Sequence, residues 1–159
     1  MELEFDVKID GAVLYDYMMH HTYSSVSGLM GTMVGALLVC SYFMGMGILY
    51  LLLGGVLLLY LPVSLWMRAR RQAAMTPAFK HPLHYRMTEE GVEVSQGEAS
   101  ELTEWSRMYK AVSTRGGLIL YTSRINAFIF PKKDLGEKLI PTIEMISTHM
   151  PPSKVKIRA

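Results

Sequence analysis

The stretch SSVSGLMGTMVGALLVCSYFMGMGILYLLLGGVLLLYLPVSLW, residues 24–66, decides the fold of this 159-residue chain. Asp, Glu, Lys and Arg are absent from the whole interval between Tyr17 and Met67. About 20 apolar residues in a helix cross a bilayer core, so the stretch has room for two spans. We expect one span near residues 25–43 and one near residues 48–66. This composition excludes a plain soluble globular protein.

Two features predict the orientation of this hairpin. The linker 44–47, MGMG, is short and uncharged, and its glycines permit a tight reversal. Arg68, Arg70 and Arg71 follow the second span directly, and cytoplasmic flanks of membrane helices are enriched in Lys and Arg. We therefore expect a multi-pass protein with both termini in the cytoplasm. The acidic N-terminus argues against a cleaved signal peptide, and the lack of a polar face argues against a buried hairpin of a soluble protein.

Small residues form a ridge along the first span, where Ser27, Gly31 and Gly35 recur every four residues. Such ridges let helix backbones approach closely in lipid. One interpretation is packing against the second helix of the same hairpin, near Gly54 and Gly55. The other is a homodimer face. We favour packing within the hairpin, because the small-xxx-small pattern is common in apolar stretches.

The remaining sequence divides into two units around the hairpin at 24–67. Residues 1–23 begin with ELEFDVKID at 2–10, whose strict alternation of charged and apolar residues predicts a strand. Asp10 is placed to cap a following amphipathic helix that runs directly into the first span. Residues 68–159 contain short apolar runs separated by glycine turns, which predict six antiparallel strands. A terminal helix, capped at Asp134 and interrupted at Pro141, follows them. The N-terminal strand is available to complete the sheet of this unit.

Four segments of the last unit carry a family resemblance: YRMTEEGVEV at 85–94, LTEWSRMYKAV at 102–112, LILY at 118–121 and AFIFPKK at 127–133. Together they resemble the YcxB-like family. The resemblance implies a bacterial inner-membrane protein with a strand and helix, a two-helix hairpin, and a cytoplasmic domain similar to pleckstrin-homology (PH) domains. The expected fold class is an α+β membrane protein. It combines a transmembrane hairpin with a small antiparallel PH-like barrel or sandwich, capped by a C-terminal helix. The family lends no assigned activity and no catalytic residues.

Motifs that would indicate an enzyme are missing from the sequence. It contains no GxSxG, no HExxH and no Walker-type loop. His81 and His84 flank Pro82, which disrupts helical spacing, and no nearby Cys or Asp completes a metal site. The six glutamates between residues 89 and 104 suit a solvated face better than an acid–base pair. We expect no enzymatic activity, no catalytic residue, no cofactor and no metal.

Basic side chains provide the one chemical indication of a ligand. Candidates for contact with lipid headgroups or a partner are Arg68, Arg70, Arg71, Lys132 and Lys133. Each basic residue near an anionic leaflet contributes about 1 kcal/mol to membrane attraction. Membrane topology alone also explains the arginines, and a solvated turn explains the two lysines. The basic tail formed by Lys154, Lys156 and Arg158 fits lipid headgroups, RNA or no ligand. We expect no nucleic-acid partner, because no aromatic platform accompanies these charges.

The sequence thus predicts a non-enzymatic, integral membrane protein that acts in interaction or scaffolding. Its cytoplasmic PH-like domain would bind a protein segment or anionic lipid headgroups. The alternative is an accessory subunit that packs its hairpin against a transporter or a membrane enzyme. A protein partner or a homodimer is compatible with either hypothesis.

Overall fold

The structure is a computed structural model that describes residues 2–157. Its helices are α1 (Gly11–Tyr23), α2 (Val26–Ser41), α3 (Ile48–Met75), α4 (Lys132–Leu135) and α5 (Leu139–His149). Its strands are β1 (Leu3–Val7), β2 (Leu83–Met87), β3 (Gly91–Gln96), β4 (Ala99–Glu104), β5 (Lys110–Ser113), β6 (Gly117–Tyr121), β7 (Ala127–Pro131) and β8 (Val155–Lys156). The mixed α+β class with two long apolar helices agrees with the sequence prediction.

The strands form two small sheets, and neither of them closes. The first has the order β1-β2-β3-β4 and is antiparallel throughout, and the second has the order β7-β6-β5-β8. In the second sheet β8 lies parallel to β5, because the chain passes along α4 and α5 before it returns. Within residues 2–157 the expected barrel is therefore an arrangement of two open sheets.

The N-terminal strand belongs to the first sheet, a point that the sequence left open. β1 pairs antiparallel with β2, and Phe5 lies opposite Tyr85 in the register. The alternation in the sequence predicts the burial, since Phe5 and Val7 are buried whereas Glu4 and Asp6 are exposed. The chain therefore enters and leaves the helical hairpin through neighbouring strands.

The larger of two hydrophobic clusters within residues 2–157 joins the sheets to the helices. It includes Leu14 of α1, Ala69 of α3, Met87 of β2, Phe130 of β7 and Ile146 of α5. Burial of apolar side chains from so many elements is the main stabilising contribution to a domain of this size. The base of the hairpin is thus part of the folded domain and not a flexible tether.

The hairpin differs from the expectation at its start. The helix α1 ends before Ser24. Ser25 then caps a new helix by accepting a hydrogen bond from the Gly28 amide at 3.2 Å. α1 therefore does not run directly into α2. At the tip, Gly45 and Gly47 have φ of 91° and 93°, which confirms the glycine reversal, since this region favours glycine.

Two further segments differ from the sequence prediction. Between two of the expected strands, β4 and β5, lies a 3₁₀ turn, Trp105–Arg107, where the indole N–H donates to the Thr88 carbonyl at 2.9 Å. Asp134 does not cap the terminal helix, because its Oδ2 accepts from the Lys8 amide at 3.0 Å. α5 makes a fresh start, with Pro141 in its first turn, where proline removes no helical hydrogen bond.

Candidate membrane-facing site

The helical hairpin presents a large apolar surface. The segments Val26–Met46 and Ile48–Met75 are each long and apolar enough to cross a membrane. Only 6% of the apolar window of the first and 11% of the second is buried within the protein. A core hairpin of a soluble protein would be mostly buried, so these exposed faces indicate membrane association.

The contacts within the hairpin show where its polar flanks begin. A Cβ built on Gly31 of α2 would lie 3.8 Å from Cδ1 of Leu61 in α3. Val26 lies five residues before Gly31 in α2, and Trp66 lies five residues after Leu61 in α3, so these two residues are at a similar height along the hairpin. The guanidinium of Arg70 lies 4.8 Å from the centre of the Trp66 ring, an arrangement typical of a membrane interface. The polar residues at Ser24 and the first arginine of α3 therefore lie on one side of the hairpin.

The small residues of α2 pack mainly within the hairpin. A Cβ on Gly35 would lie 2.8 Å from Cγ of Leu58, and one on Gly54 would lie 2.8 Å from the Gly35 carbonyl oxygen. Ser27, in contrast, is exposed, and its hydroxyl lies 3.3 Å from that of Ser25. Gly31 and Gly35 thus lie against α3, whereas Ser27 does not take part in this packing.

The three arginines lie on α3, which continues beyond the apolar segment to Met75. Arg68, Arg70 and Arg71 are all exposed. The α3 backbone meets the start of α1 here, since a Cβ built on Gly11 would lie 3.4 Å from Cα of Arg70. The side chains of the three arginines are therefore exposed to solvent directly after the apolar segment of α3.

The two candidate lysines make contacts within the domain. Lys132 Nζ donates to the Thr114 carbonyl at 3.2 Å, and Lys133 Nζ lies 2.6 Å from Asp10 Oδ2. Burial alone would raise the pKa of Asp10, but hydrogen bonds from Lys133 and from the amides of Val13 and Ala12 outweigh it and lower that pKa. Lys133 thus helps to fix the start of α1, with its charge compensated.

A second basic cluster lies beside the end of α1, and of its residues the sequence had indicated only Lys156, as part of the basic tail. A cavity of about 420 Å³ is lined by His20, Ser24, Lys110, Val112, Ser113 and Lys156. We call it the juxtamembrane basic cavity. It forms because β8 pairs with β5 through Val112 and Lys156. No local sequence signal connects these residues, since the parallel return of β8 depends on the tertiary fold.

An aromatic group flanks this cavity. The rings of Tyr17 and His21 stack at 5.9 Å, and both lie about 6 Å from the Tyr121 ring. Lys110 Nζ lies 4.5 Å from the centre of the Tyr121 ring. Burial, with a smaller contribution from Tyr17, raises the pKa of Tyr121 to about 12. Among the described residues, its buried hydroxyl has no hydrogen-bond partner.

His84 of the histidine pair and Lys154 of the basic tail make contacts within the folded domain. His84 Nδ1 lies 2.8 Å from Asp6 Oδ1 across the β1–β2 pair. In the tail, Lys154 Nζ donates to a main-chain carbonyl at 3.1 Å, and Arg158 lies outside the described residues. Between residues 2 and 157, no group of three or more His, Cys, Asp or Glu could hold a metal ion.

Comparison with known proteins gives one match. Residues 88–144 match the family model described as YcxB-like protein. This match covers β3 to β7, α4 and the first half of α5, and it confirms the resemblance found in the sequence. No curated protein and no solved structure matches the chain.

Proposed function

The chain is YcxB-like over residues 88–144, and on that premise we propose that it is a non-enzymatic, membrane-anchored interaction or scaffolding protein. In this proposal α2 and α3 cross a bacterial inner membrane as a hairpin, and both termini lie in the cytoplasm. The two sheets and α5 form a PH-like cytoplasmic domain that binds a protein segment or anionic lipid at the membrane surface.

The shared hydrophobic core is the observation that supports this proposal most. Leu14 and Ala69, from the two helices at the base of the hairpin, are buried together with Phe130 and Ile146 of the domain. A hairpin used only as an anchor needs no such packing, because a flexible linker would suffice. Rigid attachment holds one surface of the domain at a fixed height and orientation to the bilayer.

The pairing of β1 with β2 supports the proposed topology. Both strands lie in one sheet, with Val7 opposite Leu83, so the two ends of the hairpin are on the same side. The arginines that follow the second span match the cytoplasmic flank of the positive-inside rule. Together these features favour a cytoplasmic location of the folded domain.

The test is a comparison of partners captured in native membranes. The tagged protein is cross-linked in membranes, purified in mild detergent and examined by mass spectrometry. One variant, Arg68→Gln with Arg71→Gln, removes charge from the exposed flank while Arg70 remains. The matched variant, Leu49→Ala with Val56→Ala, changes exposed apolar positions on α3.

We expect a specific protein or an enrichment of anionic lipid that is reduced in the arginine variant and retained in the apolar variant. A stoichiometric membrane protein that is lost only in the apolar variant would support the alternative, an accessory subunit of a transporter or membrane enzyme. Identical sets of co-purified proteins and lipids for both variants and the parent would refute the interaction function.

A further inference from the structure

The juxtamembrane basic cavity combines charges from separate parts of the chain. His20 comes from α1, Lys110 from β5 and Lys156 from β8, and the hydroxyls of Ser24 and Ser113 complete its polar lining. Among the described residues that line it, none is Asp or Glu. Its volume of about 420 Å³ is enough for the polar part of a lipid or a similar small molecule.

The two lysines of this cavity are not neutralised by the described part of the protein. Over residues 2–157, neither Lys110 nor Lys156 makes an ion pair, whereas Lys133 is paired with Asp10. Asp16 partly opposes the lowering of the His20 pKa, and its carboxylate accepts a hydrogen bond from the Thr114 hydroxyl. Lys110 and Lys156 therefore line a polar space in which no carboxylate of residues 2–157 compensates their charge.

His20 contributes a neutral group rather than a third fixed charge. Burial is the largest effect on its pKa and lowers it, and the nearby Lys110 lowers it further. The imidazole is then a hydrogen-bond donor and acceptor at neutral pH. An anion that entered the cavity would meet two cations, a ring N–H and the Ser24 hydroxyl. This set of donors suits the oxygens of a phosphate group.

The position of the cavity determines where such a phosphate would come from. Ser24 lines the cavity and lies two residues before the first residue of α2. The same level of the hairpin carries Trp66 and the first arginine of α3, where the apolar surface ends. In a bilayer this is the depth of the lipid headgroups, so the phosphates of the cytoplasmic leaflet are the nearest abundant anions.

We propose that the juxtamembrane basic cavity binds the phosphate of an anionic membrane phospholipid. This inference rests on the proposed function, because it requires α2 and α3 to lie in a bilayer, and it names the ligand of one surface. An anionic lipid is favoured over a zwitterionic one, because the cavity lining that residues 2–157 provide offers no carboxylate for a cationic amine.

The test measures lipid retention by the full chain purified in mild nonionic detergent. Native mass spectrometry follows binding of phosphatidylglycerol, with phosphatidylcholine and inorganic phosphate as comparison probes. The cavity variant is Lys110→Gln with Lys156→Gln. The control variant, Lys8→Gln with Lys80→Gln, makes the same change of net charge at exposed positions below the arginines. Lys156→Gln alone is a second variant, because this exposed side chain lies in a two-residue strand.

We expect the apparent dissociation constant for phosphatidylglycerol to rise about fivefold per lysine removed, or roughly 25-fold in the cavity variant. The control variant and phosphatidylcholine binding should change less than twofold. Equal phosphatidylglycerol binding by the cavity and control variants would overturn the inference. Displacement of the lipid by millimolar inorganic phosphate would also overturn it, because a site for free phosphate would then explain the cavity. Neither result would alter the outcome of the cross-linking test, so the two proposals fail separately.

Discussion

Phe5 is the residue whose replacement tests the fold most directly. It precedes the hairpin in the chain, but it is only 4% exposed in the core of the domain that follows the hairpin. Its ring packs edge-to-face on Phe130 with a centroid distance of 5.3 Å and stacks on Tyr85 at 5.9 Å. Truncation of a buried phenylalanine costs about 3–5 kcal/mol, which includes the cavity left behind. We expect Phe5→Ala to lower the free energy of unfolding by about 4 kcal/mol.

Tryptophan fluorescence can measure this loss in detergent. The chain has two tryptophans, so a Trp66→Phe background leaves Trp105 as the reporter. Trp105 is 7% exposed and stacks on His149 in the domain, and its emission should change when the domain unfolds. With an m-value of about 2 kcal/mol per molar urea, the expected loss lowers the unfolding midpoint by about 2 M.

The control lies on the opposite edge of the same sheet. Leu102 of β4 is 45% exposed, so Leu102→Ala should cost less than about 1 kcal/mol. If Phe5→Ala shifted the midpoint no more than this control, β1 would not be part of the domain core. The proposed rigid attachment of the hairpin would then fail as well.

Three further results are expected. Gly54→Val should destabilise the hairpin by about 1–3 kcal/mol in thermal unfolding, because its Cβ would overlap the backbone of α2. Gly55→Val is the control and should not destabilise the hairpin, because Gly55 faces open space. Equal effects of the two substitutions would refute the packing of Gly54 against α2. Tyr121→Phe should leave the urea midpoint unchanged or stabilise the domain by about 1 kcal/mol, since it removes a buried hydroxyl without a described partner. A loss of more than 1 kcal/mol would indicate a missed hydrogen bond. The folded-state pKa of Asp10 is lowered from its ordinary value of 3.8, so its contribution to stability is present above that ordinary value and is lost as the pH falls through the folded-state pKa. Asp10→Asn should flatten this acid-dependent loss in urea titrations, and an unchanged pH profile would contradict the pairing with Lys133.

Local sequence patterns predicted the elements that depend on neighbouring residues. The apolar stretch gave two long helices, and the alternation around Phe5 gave a strand. Asp10 caps α1 as expected, with its Oδ1 accepting from the amides of residues 12 and 13 at 3.0 and 2.9 Å. Gly45 and Gly47 form the reversal for which their positive φ angles are required.

Features that depend on distant contacts were not predictable in the same way. Nothing near Lys156 indicates that a two-residue strand returns parallel to β5, so the juxtamembrane basic cavity was not recognised from the sequence. The ion pair of Lys133 with Asp10 was likewise not predictable, because Asp10 precedes the hairpin in the chain and Lys133 follows it. The open sheets replaced the expected barrel for the same reason: strand order is a property of the whole chain.

The pairing of β1 with β2 has a consequence for biosynthesis. β1 leaves the ribosome before its partner β2, which is made only after the entire hairpin. During that interval Phe5 and Val7 have no sheet to cover them, and an unpaired apolar strand is prone to non-native association. In the proposed topology, insertion of the hairpin into the membrane returns the chain to the cytoplasmic side, where β1 is located. The domain could then assemble only after the whole hairpin has been inserted.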